Sequence, residues 1–221
     1  MVLMDEQTQI FRDIEVDLGK ENVLKSPPFT RWIKNQESQV KLENLVDEMR
    51  NDIKKVITPQ AIFKIIPREK TDIEKYTPPE PLLKSNFLAV GIVTLRGRTN
   101  GDLKVGSLME SLIIDSLKNV VLIQAQREIA GQIAKIAERE SLKTTRAVPP
   151  GSGSMNWGIE NQEFIFKNLE SEQIGVQLTP SLIMKPTKTI SFVMGLGHNI
   201  EQAKNLFSCE GCNRIDCDYR S

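Results

Sequence analysis

The sequence predicts helices packed against an antiparallel or mixed sheet, and three features point that way. Two long stretches carry apolar residues at three- and four-residue steps, the stripe of an amphipathic helix. Of two shorter runs, one is β-branched and aromatic and bounded by prolines, and the other is apolar without alternation, as buried strands are. Late in the chain two more strand-like runs are split only by Pro186-Thr187-Lys188, and so short a turn favours antiparallel neighbours. With 221 residues there is room for one large domain or two small ones.

In chain order, residues 1–36 show no sustained period. Ile10, Phe11, Ile14, Val16 and Leu18 lead to Gly19 and then to Ser26-Pro27-Pro28, which stops any helix, so this part reads as an extension packed along the body. From Glu37 to Val56 the residues Val40, Leu42, Leu45, Val46, Met49, Ile53 and Val56 form the first helical stripe. Thr58-Pro59 ends it, and Ala61 to Pro67 follows as a buried strand. Arg68 to Pro81 is charged and holds three prolines, which predicts a solvated connector. Phe87 to Leu95 predicts a central strand covered on both faces, with Gly91 marking a bulge or the close approach of another backbone.

Arg96 to Gly106 reads as a turn-rich loop, and Ser107 to Arg139 as the longest helix. Asp115 within it is expected on an exposed flank, because a buried carboxylate is costly unless paired. A strand is expected to end at Arg146, and Pro149 to Gly158 to form a loop. Asn161 to Ile174 predicts a helix closed by Gly175, and Val176 to Lys185 pairs with Thr189 to Gly195 as a hairpin.

Composition excludes several functions. Apolar residues make up 39% and charged residues 26%, ordinary for a globular chain, and Lys plus Arg equals Asp plus Glu at 29 each. No net field therefore draws nucleic acid or a membrane surface. The N-terminus lacks the pattern of a secretory signal, and Phe87 to Leu95, the longest apolar run, is far short of the roughly 20 residues of a membrane helix. A cytoplasmic location is expected.

Candidate chemistry is local. Gly195-Leu196-Gly197-His198-Asn199-Ile200 lacks the third glycine of a dinucleotide fingerprint, and no βαβ unit follows. His198, the sole histidine, has no nucleophile in a recognisable arrangement with it. No Walker loop, His-Glu-x-x-His or paired carboxylates are present, so the residues alone support no enzyme.

Cys209, Cys212 and Cys217 make a C-x2-C-x4-C tail. Such spacing fits three corners of a tetrahedral zinc site or of an iron–sulfur cluster, with the fourth ligand from His198, Asp216, water, a partner or a substrate. The alternative is three unligated thiols. Finally, Arg146 leads into Ala147-Val148-Pro149-Pro150-Gly151-Ser152-Gly153, a turn whose residues let backbone groups approach a ligand.

From Arg146 onward the order of motifs resembles the activation domain of cobalamin-dependent methionine synthase. The residues that carry the likeness are Arg146, Pro150-Gly151-Ser152, the helix to Ile174, Gly175-Val176-Gln177-Leu178-Thr179-Pro180-Ser181, Met184-Lys185-Pro186 and Ile190-Ser191-Phe192. Upstream, Thr58-Pro59-Gln60-Ala61-Ile62-Phe63 resembles the family's entry into its first strand. The family has small free-standing versions, some ending in a cysteine cluster.

The resemblance implies a single-domain α+β fold, a curved and mostly antiparallel sheet flanked by helices. It divides the chain into an extension (1–36), the activation-like domain (37–206) and a cysteine-rich tail (207–221). It implies a shallow S-adenosylmethionine site at Arg146, Pro150, Gly151, Ser152 and Gly153, with the arginine on the ligand carboxylate. It also implies a surface that caps the cobalamin of a partner, so that reductively activated cobalt is remethylated.

That partner would be a corrinoid methyltransferase, or a methionine synthase lacking its own activation domain, served by a flavodoxin- or ferredoxin-type reductant. The chain would then be non-catalytic alone. Two departures stand out: Ser152 takes the place of the family tyrosine, and Gly151 follows Arg146 by five positions where the family has four. Trp157 is either a replacement aromatic platform or a core residue. The other class of function left open is an electron-transfer or assembly partner whose working part is Cys209, Cys212 and Cys217.

Overall fold

The computed structural model describes residues 8–25, 29–97, 106–151, 155 and 157–207. Its centre is an open five-stranded antiparallel sheet with helices on it, an α+β single domain as expected from the resemblance. The strands are β1 (Gln9–Phe11), β2 (Ile57–Pro67), β3 (Phe87–Gly97), β4 (Lys143–Thr144) and a last strand, β7 (Thr189–Gly197), in the spatial order β1-β2-β3-β7-β4. Two short strands, β5 (Gln177–Leu178) and β6 (Met184–Lys185), pair apart from the sheet.

The absence of alternation in β3, and the apolar residues on both faces of β2, have their cause in two cores. Ala61, Phe63, Ala89 and Val93 face one core together with Phe192 and Met194 of β7, whereas Ile62, Leu88, Val90, Ile92 and Val193 face the other. Because successive side chains point to opposite faces, a strand buried on both is apolar at consecutive positions, as Ala61-Ile62-Phe63 and Phe87 to Val93 are.

The first face is covered by α3 (Gln36–Val56) and α5 (Leu108–Arg139), the two helices whose stripes the sequence shows. Asn35 caps α3 with a reciprocal box to Ser38, and Ser107 accepts from the Glu110 N–H at the start of α5. Asp115 lies on an exposed flank of α5 and meets Lys188 at 2.8 Å, as expected. The extension is tied to the same face: short helices α1 (Lys20–Leu24) and α2 (Phe29–Trp32) bury Val23 and Phe29, and Ile14 and Leu18 are in the core between them and β1.

The second face is covered by α6 (Gln162–Asn168), by the loops around it, and by Ile73 and Leu82 of the connector. That connector is more ordered than its charge suggests, with two 3-10 turns (Arg68–Lys70 and Ile73–Tyr76) and the short helix α4 (Glu80–Leu83).

Three expectations need correction, and one open alternative is decided. The helix expected over 161–174 breaks after Asn168 and resumes as a 3-10 turn over Ser171–Ile174, which Gly175 does close at φ +67°. Val176 to Lys185 does not pair with β7. It folds back on itself as β5 and β6, while β7 crosses to the middle of the sheet and pairs with β3 from Phe87↔Leu196 to Thr94↔Thr189. At Gly91 the close neighbour is a side chain rather than a backbone, the ring of Phe192, its cross-strand partner. Trp157 is a core residue, 2% exposed, whose indole N–H donates to the Tyr76 carbonyl at 2.8 Å.

Candidate functional site

The site lies at the end of the sheet where β3 begins and β7 finishes. Three pieces of chain meet there: α4, the segment from Thr145 to Val148, and residues 199–205 beyond β7. Between them is a cavity of about 640 Å³, lined by Glu80, Lys84, Arg146, Met155 and Glu201 among others. Its size falls in the range of roughly 300–1,000 Å³ that small-molecule sites occupy.

Each wall is fixed for a local reason. In α4 the prolines at 79 and 81 suit a first helical turn, where no N–H is needed. Leu82 is fully buried, and the Ser85 hydroxyl donates to the Pro81 carbonyl at 2.7 Å, which holds the helix to the strand that follows. Asn86 then ties that strand's start to the end of β7: its N–H donates to Leu196 O at 2.8 Å, and its side-chain oxygen accepts from the His198 N–H at 3.1 Å.

The Arg146 wall continues the sheet past β4. The Thr145 N–H donates to Gly195 O at 2.9 Å, its hydroxyl oxygen accepts from the Gly195 N–H at 2.8 Å, and Val148 and Val193 exchange both backbone bonds. On the outer side the chain end adds itself to this segment. The Ala203 N–H donates to Thr144 O at 2.9 Å, and the Ala147 N–H to Leu206 O at 3.0 Å. The two bonds keep the same offset in both segments, so 203–206 runs parallel to 144–147.

Charge is mixed in the cavity. The Lys84 ammonium lies 2.6 Å from a Glu80 carboxylate oxygen. That hydrogen bond holds the Glu80 carboxyl below its ordinary range and raises Lys84, to which Glu201 adds a smaller field. Both side chains are well exposed, so the pair adds little to stability.

Of the sequence-predicted site residues, Arg146 is half-buried and stands in the cavity. Pro150 is buried, and the Gly151 N–H donates to Trp157 O at 2.8 Å at a positive φ of +78°, closing the loop on itself. Neither of the two is among the lining residues. Ser152 and Gly153 lie outside the described residues, as do Cys209, Cys212 and Cys217. Among the described residues no group of three His, Cys, Asp or Glu could hold a metal ion, and no helix is long and apolar enough to cross a membrane.

Glu80, Lys84 and residues 201–205 escaped sequence reasoning. They are remote from Arg146 along the chain, and only the pairing of β3 with β7 brings them together. The one available signal was Pro79-Glu80-Pro81, a helix start hidden in a proline-rich stretch.

The donor set suits a ligand with an anionic end: a half-buried guanidinium is a good partner for a carboxylate, which it can grip with two parallel bonds. Val148 and Met155 give the same cavity apolar surface.

No family model matches the sequence, and no curated protein does. Among solved structures 13 chains match. One is a crystal structure of the MetH reactivation domain bound to AdoHcy, with a TM-score of 0.60 and 14% sequence identity. The match covers 91% of this chain and 82% of that one, and at this identity the likeness is one of fold.

Proposed function

We propose that this chain is an accessory protein for the reductive reactivation of a corrinoid methyltransferase of the methionine synthase type. In this reading it binds S-adenosylmethionine in the cavity at Arg146 and caps the corrinoid of its partner. The observation that carries the proposal is Arg146 itself, standing in a cavity of ligand size on a fold like that of an AdoHcy-bound reactivation domain.

Arg146 would pair with the ligand carboxylate, and the loop from Pro150 to Gly153 would supply backbone and hydroxyl groups at its edge. The Gly151 N–H is already used by Trp157, so that N–H is not counted among the groups offered to the ligand. The partner's cobalamin supplies the metal that accepts the methyl group, and the protein's part is to position the donor and exclude water. The working body is then 37–206, braced by 1–36 and followed by the tail 207–221.

Calorimetric titration with S-adenosylmethionine tests this directly. Heat of binding is expected from the wild-type chain and a loss of about tenfold or more in affinity from Arg146→Ala, since a charge-assisted bidentate pair is lost. A silent titration with folded protein would sink the proposal.

A second reading rests on the C-x2-C-x4-C spacing of Cys209, Cys212 and Cys217. There the tail carries zinc or an iron–sulfur cluster and the chain is an electron-transfer or assembly partner of a corrinoid protein, dealing with a flavodoxin- or ferredoxin-type reductant. Metal analysis and a visible spectrum after anaerobic purification decide it. A metal-free protein, unchanged by Cys212→Ser, would remove this reading and leave the first.

A further inference from the structure

The charges around the Arg146 cavity are not equally committed. Glu80 holds the Lys84 ammonium, so that acid already has its cation. Glu201, on the wall beyond β7, feels Lys84 only through its field, and the described residues give it no hydrogen bond or close ion pair.

Its backbone, however, is pinned on both sides. Ile200 before it is 5% exposed. Gln202 after it exchanges two bonds with Thr144: its side-chain oxygen accepts from the Thr144 N–H at 3.0 Å, and its amide nitrogen donates to the Thr144 hydroxyl oxygen at 3.2 Å. The next residue, Ala203, is tied to the carbonyl of the same Thr144. Thr144 is two residues before Arg146, so a single short segment positions the guanidinium and, through Gln202, the backbone that carries Glu201. Both side chains line the same cavity.

A cation and an anion held on two walls that share one anchor form a receptor for a ligand of opposite charge order. We propose that Glu201 takes the ammonium of an α-amino acid moiety whose carboxylate pairs with Arg146. The cavity is then a zwitterion clamp, and its ligand class is adenosylated α-amino acids rather than nucleosides or nucleotides. This rests on the cavity being the S-adenosylmethionine site, and it adds a specificity residue that neither the motif nor its spacing contains. The backbone under Glu201 is held before the ligand arrives, so binding has only its side chain to order.

The test compares S-adenosylmethionine with its deaminated analogue, which keeps the carboxylate and lacks the ammonium, by calorimetric titration of the full chain and of Glu201→Gln. The wild type is expected to prefer S-adenosylmethionine by about tenfold, the scale of one charge-assisted hydrogen bond, and Glu201→Gln to lose that preference while remaining folded. A wild type with no preference, or a variant that keeps it, overturns the role of Glu201. A wild type that binds neither compound overturns the assignment of the cavity itself, a different failure with a different signature.

Discussion

Replacing Gly195 by alanine should reveal how the two walls of the cavity are held together. A methyl group there would fall on the Ser85 hydroxyl, 3.0 Å from Ser85 Cβ and 3.1 Å from Thr145 Cγ2. Carbon pairs settle at roughly 3.5–4.0 Å, so both neighbours must yield by several tenths of an ångström. Ser85 is 3% exposed and its hydroxyl donates to Pro81 O, so turning it away leaves a buried group unsatisfied at a cost of about 1–3 kcal/mol.

Overpacking of the two carbon contacts adds about 1–3 kcal/mol. With relaxation shared between the terms, a loss of about 2–4 kcal/mol is expected, which for a chain of this size lowers Tm by roughly 4–16 °C. Thermal unfolding followed by circular dichroism reads it. Ser85→Gly should rescue part of the loss, giving a coupling of at least about 0.5 kcal/mol in a double-mutant cycle. A Gly195→Ala protein melting within about 1 °C of the wild type, or a strictly additive cycle, would refute the close-packed seam.

Two further outcomes concern the body. Trp157→Phe removes the indole N–H from the part-buried Tyr76 carbonyl and should cost about 1 kcal/mol or more; an unchanged Tm would show that this bond adds nothing to the core. The Lys20 ammonium lies 3.1 Å from Glu43 and 2.9 Å from Asp47, and its hydrogen bonds help hold both carboxyls below their ordinary values, with Gln39 first for Glu43. Depressed carboxyl values mean stabilisation that is full above the unfolded-state values of roughly 3.9 and 4.3 and lost as pH falls through the folded ones. The gap in Tm between wild type and Lys20→Ala should therefore be level from pH 7 to about 5 and close below about 4. A gap that widened as the pH fell below about 4 would contradict it.

The parts of the fold legible in the sequence are those governed by one face at a time. In α3 and α5 the stripe marks the side on which the helices meet each other and the sheet, and Leu42, Val46 and Ile53, or Ile113, Leu117 and Ile129, show it directly. β2 and β3 are legible because burial on both faces leaves apolar runs too short for helices. Pairing partners are not legible in the same way. Val176 to Lys185 and β7 are neighbours in sequence and strand-like in composition, yet β7 gains far more by completing two cores than by closing a hairpin with a segment that is half exposed. For the site, the arginine and its turn were visible as a motif, whereas Glu80 and Glu201 have no local signature. Their roles depend on which strand ends meet.

The parallel addition of residues 203–206 to the edge at Arg146 has a consequence for whatever follows them. Cys209 is four residues beyond Asn205, a lining residue, so the covalent leash between the cavity rim and the first thiol is at most roughly 14 Å of extended chain. If a metal is held at the cysteines as proposed, it lies within that reach of the cavity rim, and any effect of the cavity's ligand on the affinity for that metal would be matched, by reciprocity, by an equal effect of the metal on the affinity for the ligand.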